Sequence, residues 1–87
     1  MIYFAEASYE NNKFIKIGYS EKPNKRIQSL RTSCPIPIKL LGVRTGNRLD
    51  EASLHNAFQN DRIHGEWYKP SKDLLDTIKA TAITIYK

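Results

Sequence analysis

Two β-patterned segments face each other across an asparagine-rich turn, and this constrains the fold more than any other feature of the chain. Residues 2–7 read Ile-Tyr-Phe-Ala-Glu-Ala, and residues 13–19 read Lys-Phe-Ile-Lys-Ile-Gly-Tyr. Successive side chains of a strand take opposite faces. Ile2 and Phe4 therefore share one face, and Tyr3 takes the other. In the second segment Ile15 and Ile17 share a face, and Phe14, Lys16 and Gly18 share the opposite one. Asparagine tolerates left-handed backbone, so Asn11-Asn12 supplies turn chemistry and the segments form a hairpin.

The rest of the chain reads as elements packed on that hairpin. Pro23 opens a helix, as proline does in a first turn, and the helix runs to about Thr32. Ile27 and Leu30 lie on its inner side. Pro35 and Pro37 then interrupt the chain. Residues 38–45 form a third strand, with Gly42 marking a bulge. Gly46-Asn47 is a turn. A second helix covers about 48–60, striped by Leu54, Ala57 and Phe58. On it Glu51, His55, Phe58 and Arg62 fall on one face at i, i+4, i+7 and i+11. Residues 61–69 read as a loop in which Trp67 and Tyr68 anchor the chain to the sheet. A third helix starts near Pro70-Ser71, with Leu74, Leu75, Ile78 and Ala82 as its stripe. The tail Ile83-Thr84-Ile85-Tyr86 fits either a frayed helix end or a short strand.

The expected fold class is α+β: a small three-stranded antiparallel sheet flanked by helices, in the order β-β-α-β-α-α. A chain of 87 residues supports one such core and not two, so residues 1–87 form a single domain. Apolar runs are only a few residues long, far short of the roughly 20 that span a bilayer, so no membrane partner is expected. The N-terminus enters a strand at once, unlike a secretory signal. Cys34 is the one cysteine, which excludes an internal disulfide and fits an intracellular, cytoplasmic setting. Cys34, His55 and His64 have no recognised zinc-ligand spacing. Lysine and arginine outnumber the acids by 14 to 9, giving a net charge of +5 that suits an anionic partner such as nucleic acid.

The ordered set Tyr3…Lys16-Ile17-Gly18-Tyr19-Ser20…Arg26…Glu51 resembles the GIY-YIG nuclease superfamily. Ile2-Tyr3-Phe4 stands for the first signature strand and Lys16-Ile17-Gly18 for the second. Arg26 falls where that superfamily carries its helix arginine, and Glu51 where it carries a metal-binding glutamate. Gly65-Glu66-Trp67-Tyr68 is similar to the ending of a compact branch frequent in phage and bacterial genomes, and a phage-encoded chain would work in the host cytoplasm. Two departures stand out. Lys16 replaces the first tyrosine of the second signature, and the asparagine that commonly closes the pattern has no counterpart. The resemblance implies a metal-dependent endonuclease acting on DNA, double-stranded more than single-stranded, with Mg²⁺ or Mn²⁺ as cofactor and no small-molecule cofactor.

The chemistry of these residue types agrees with that implication. Phosphodiester hydrolysis needs an activated water, a Lewis acid on the phosphate and stabilisation of added negative charge. Glu51 is a hard oxygen ligand suited to Mg²⁺. Arg26 offers a planar fork for phosphate oxygens. Lys16 is either a general base or a fixed positive charge. Tyr3 positions the attacking water or shares the base role, and it can share a sheet face with Lys16. His55, one turn after Glu51, contacts phosphate, orients Glu51 or shuttles a proton. Tyr19, Lys25, Arg31 and Arg62 are the candidate substrate-binding residues. Glu66 is either a second acid near the metal or a loop cap. A lone domain has few surfaces for reading bases, so low sequence specificity is expected, or specificity gained as a homodimer. The alternative is a catalytically inactive nucleic-acid-binding or regulatory module on the same scaffold. A protein–protein adaptor is a third, weaker alternative.

Overall fold

The computed structural model describes residues 1–82, so the expectation for Ile83 to Tyr86 lies outside the described residues. The hairpin is present as β1 (Ile2–Tyr9) and β2 (Asn12–Tyr19), paired antiparallel from Ile2↔Tyr19 to Tyr9↔Asn12. That register leaves Glu10 and Asn11 as the two-residue turn. The left-handed residue is Glu10, at φ 56°, and not an asparagine. α1 (Pro23–Ser33) begins with its proline in the first turn, as expected. β3 (Ile38–Arg44) pairs antiparallel with the other edge of β1. Phe4 faces Gly42 while Ala5 faces Leu40, so Leu41 is the extra residue of a bulge beside Gly42.

The second helix is shorter than its pattern suggests. α2 (Arg48–Ala57) ends where Phe58 leaves helical geometry, and a 3₁₀ turn follows at Gln59–Asp61. Glu51 and His55 keep their shared face. Phe58 caps the helix, and Arg62 has left it altogether, so the four-residue face does not extend past His55.

The sheet is a correction to the expected fold. It has five antiparallel strands in the order β3-β1-β2-β5-β4, not three. The segment read as a loop supplies β4 (Arg62–His64) and β5 (Trp67–Tyr68), joined through Gly65 at φ 58°. β5 pairs with β2 through Ile15↔Tyr68 and Lys16↔Trp67. Strands of two and three residues are too short to carry an alternating pattern. Their formation is imposed by β2, whose outer N–H and C=O groups lie beside a buried core and need partners. α3 (Lys72–Thr81) completes the described chain. Ser71 caps it by accepting from the Leu74 N–H and donating to Asp61 Oδ2 at 2.7 Å.

Both faces of the sheet are covered. Ile2, Phe4, Ile15 and Ile17 pack with Leu54 of α2, Leu74 and Ile78 of α3, and Tyr68. On the opposite face Tyr3, Ala5 and Ala7 pack with Ile27 of α1 and with Ile38, Leu40 and Val43. Each fully buried aliphatic or aromatic side chain stabilises the fold by about 1.5–3 kcal/mol relative to exposure. β1 therefore sits at the centre of the molecule, and Tyr3 lies on the α1 side, opposite Ile2 and Phe4, as the alternation predicts. Among the described residues no helix is long and apolar enough to cross a membrane.

Candidate functional site

The site forms where β5 stops. β5 covers β2 only at Ile15 and Lys16, so among the described residues the edge of β2 from Ile17 onward has no strand partner. The Ile17 N–H donates to the Glu66 carbonyl at 3.1 Å. His55 Nε2 lies 3.0 Å from the Ile17 carbonyl oxygen. A carbonyl oxygen only accepts, so Nε2 is the protonated nitrogen here. Side chains from β1, β2, α2 and the β4–β5 turn meet at this open edge.

α2 brings Glu51 to it. Asn47 caps the helix with its side chain accepting from the Leu49 and Asp50 N–H groups, and Asp50 accepts from the Asn47 N–H at 2.8 Å. Such a reciprocal cap fixes the first turn. Glu51 follows one residue later and is buried, at 7% exposure. Burial pushes its carboxyl above the usual range, and the nearby Glu66 carboxylate raises it further by repulsion and by a side-chain hydrogen bond. His55 and Arg48 partly offset this. Donor atoms of Glu51, His55 and Glu66 lie within 4.8 Å of one another. Two carboxylates and an imidazole make an oxygen-rich set of the kind that suits a hard divalent cation.

Lys16 and Tyr3 come from the sheet. Lys16 Nζ donates to Glu66 Oε1 at 2.8 Å and sits 5.4 Å from the centroid of the Trp67 ring. Tyr3 pairs with Gly18 across the hairpin, and its ring lies directly over that glycine. A Cβ at position 18 would fall 2.4 Å from Tyr3 Cζ and 2.5 Å from its hydroxyl oxygen. Glycine at position 18 is what leaves room for the Tyr3 ring and hydroxyl there. Burial, chiefly, and the Glu66 carboxylate push the Tyr3 hydroxyl up to about 12, with Arg26 pulling the other way.

A cavity of about 430 Å³ beside this edge is lined by Tyr19, Ser20, Glu21, Lys22, Arg26 and Arg48. The Arg48 guanidinium stacks 4.8 Å over the Tyr19 ring. Lys22, Arg26 and Arg48 set three cations against the one carboxylate of Glu21 in this concavity, chemistry that suits an anion.

Of the residues singled out in the sequence, Tyr3, Lys16, Glu51 and His55 converge at the open edge. Arg26 and Tyr19 line the adjoining cavity. Lys25 is exposed on α1 and outside that lining. Arg31 is directed elsewhere, its Nε donating to the Ile38 carbonyl at 2.8 Å. Arg62 closes the β4–β5 turn by donating to the Gly65 carbonyl at 2.7 Å. His64 is exposed, as expected for a surface residue. Sequence reasoning passed over Arg48. Its signal is the i, i+3 spacing to Glu51 on the first turn of α2. Tyr68, read as a core anchor, is fully buried, and its hydroxyl has no hydrogen-bond partner among the described residues.

Residues 1–82 match the T5orf172 domain. No curated protein and no solved structure matches the chain significantly. The match takes in every residue of the open edge and its adjoining cavity, and the chain belongs to the T5orf172 domain family.

Proposed function

We propose that this chain is a divalent-metal-dependent endonuclease of the GIY-YIG type, hydrolysing DNA phosphodiester bonds with low sequence specificity. A T5orf172 domain is compatible with a nuclease-like or DNA-binding role. The observation that carries the finer reading is the meeting of Tyr3, Lys16 and Glu51, from three separate elements, beside a cavity lined by Arg26 and Arg48.

Glu51 would hold the Mg²⁺ or Mn²⁺ ion, and the donor chemistry around it fits such an ion. Bound there, the ion would supply a Lewis acid for the phosphate and lower the pKa of a coordinated water. Arg26 and Arg48 hold phosphate oxygens and set the register of the backbone in the cleft. Tyr3 stays protonated at neutral pH, because its hydroxyl is pushed up to about 12. It therefore orients the attacking water or a phosphate oxygen by donating a hydrogen bond. Lys16, paired to Glu66 at 2.8 Å, serves as a fixed cation against the charge that builds in the transition state. His55 stands one turn along α2 with Nε2 3.8 Å from Glu51 Oε2 and acts on it through space, because its Nε2 proton is given to the Ile17 carbonyl.

The test is incubation of the pure protein with supercoiled plasmid and Mg²⁺, with and without chelator. Nicking or linearisation that needs the metal and is lost in Glu51→Ala is expected. An inert wild type on every DNA form, or full activity in Glu51→Ala, refutes the reading.

Arg48→Ala should weaken binding to short duplexes about equally for all sequences. The slope of log affinity against log salt should flatten by about 1, the mark of one lost phosphate contact. Arg31→Ala, whose guanidinium is turned to the Ile38 carbonyl, serves as the comparison. An unchanged slope in Arg48→Ala would remove Arg48 from the phosphate site.

A further inference from the structure

The position of Glu66 carries an inference that rests on the metal-dependent reading and extends it. Glu51 and Glu66 come from different elements, α2 and the β4–β5 turn, yet a carboxylate oxygen of each lies within 4.8 Å of the other and of a His55 ring nitrogen. Two carboxylates so placed, one of them buried, repel unless a proton or a cation lies between them. Glu66 Oε1 is already engaged by Lys16 Nζ, which leaves its second oxygen for another partner. His55 is not free to be that partner's ligand through Nε2, because that nitrogen is engaged with the Ile17 carbonyl.

A second observation lies beside the pair. Tyr68 is fully buried and its hydroxyl has no partner among the described residues. Its ring stands 5.6 Å from the His55 ring, and the hydroxyl lies in the electrostatic field of Arg62 and, less strongly, of Glu66 and Glu51. A buried hydroxyl is ordinarily hydrogen-bonded, so one with no partner among the described residues, in the field of both glutamates, is available to the water of an ion held there. A hydrated cation between the carboxylates brings water within reach of such a group.

We propose that Glu66 is the second ligand of the metal site: it shares a divalent cation with Glu51 through one carboxylate oxygen while its other oxygen holds Lys16. The cation and the Lys16 ammonium are thereby tied to one side chain, and metal binding sets where Lys16 stands. His55 is a positioning residue for Glu51, and Tyr68 is a donor to the water around the ion.

Trp67 is the only tryptophan of the chain and lies beside Lys16, so it reports on the site without any cleavage assay. The experiment titrates the full chain, free of DNA, with Mn²⁺ by electron paramagnetic resonance and with Mg²⁺ by Trp67 fluorescence. Glu66→Gln should weaken Mn²⁺ binding by about 10- to 100-fold or more, the range for loss of a supporting group at a metal site being the lower bound. Glu66→Asp should fall between it and wild type. Lys16→Met should keep Mn²⁺ affinity but lose the Mg²⁺-dependent fluorescence change. Circular dichroism confirms that each variant is folded.

Wild-type Mn²⁺ affinity in Glu66→Gln, together with loss of binding in Glu51→Gln, overturns the proposal and leaves the nuclease reading intact. Failure of wild type to bind Mn²⁺ in the millimolar range also overturns it. Metal binding that depends on both glutamates, in a protein that cuts no DNA, upholds the proposal and refutes the nuclease reading.

Discussion

Glu51→Gln is expected to abolish cleavage and, in the absence of metal, to raise the melting temperature. The two effects have one cause. Glu51 is buried beside Glu66, and both burial and that neighbour raise its pKa above the ordinary value of 4.5. A carboxyl with a raised pKa holds its proton more tightly in the folded chain than in the unfolded one. Its contribution to stability therefore falls as pH rises from about the ordinary carboxylate value through the raised one, and is least favourable above it. Above the raised value the charged Glu51 opposes folding, and glutamine removes that opposition while keeping the shape. For a chain of this size each kcal/mol recovered lifts the melting temperature by roughly 4–8 °C. Cleavage should fall by about 10³-fold or more, the scale on which a principal charge-stabilising group is lost. Thermal melts in chelator across pH 4–8, run beside plasmid cleavage, provide the check. The wild-type curve should decline through the carboxylate range and the Glu51→Gln curve should be flatter. A lower melting temperature in Glu51→Gln would mean that His55 and Arg48 already compensate the buried charge, and that Glu51 is a structural ion-pair partner.

Gly18→Ala should damage both fold and activity through a single contact. The new methyl group would sit 2.4 Å from Tyr3 Cζ and 2.6 Å from Cε2. Ordinary carbon contacts lie near 3.5–4.0 Å, so the ring must shift by roughly 1 Å or more. Tyr3 has nowhere to go: it is 2% exposed and packed among Ala5, Ile27 and Val43. Overpacking of this kind costs about 1–3 kcal/mol. A displacement near 1 Å in a positioning group is enough to lose about 10²-fold in rate. Tyr3→Phe alone should keep stability and lose activity, because the ring stays and the hydroxyl goes. In a Tyr3→Ala background the added methyl at position 18 should cost much less, since the atoms it strikes are absent. A double-mutant cycle in melting temperature measures that coupling. Additive effects would show that Gly18 is needed for some reason other than the Tyr3 ring.

How much of this was legible in the residues depends on the length of the signal. The hairpin, its register sense, the three helices and the bulge at Gly42 were readable because each leaves a run of several residues with a period or a marked breaker. β4 and β5 were not, because two or three residues carry no period. Trp67-Tyr68 looks the same in sequence whether it anchors a loop or pairs as a strand. Arg62 was misplaced for a related reason: helical spacing was carried past Ala57, and no proline or glycine there announces the end. Among site residues, Tyr3, Lys16 and Glu51 could be chosen from their order. Arg31 was chosen by charge alone, and the structure turns it to a backbone carbonyl.

What the sequence determined by itself is therefore local: alternation placing Tyr3 and Lys16 on faces of a hairpin, a proline opening α1, a helix on which Glu51 and His55 lie one turn apart, and an excess of basic charge. The tertiary structure decided what those residues do together. β2 needed backbone partners along a buried edge, and β5 supplies them only as far as Lys16. The edge beyond is left open, and Glu51, His55, Glu66 and the ring of Tyr3 over Gly18 are drawn to it from segments far apart in the chain. No local pattern encodes that meeting, because it arises from where a two-residue strand stops.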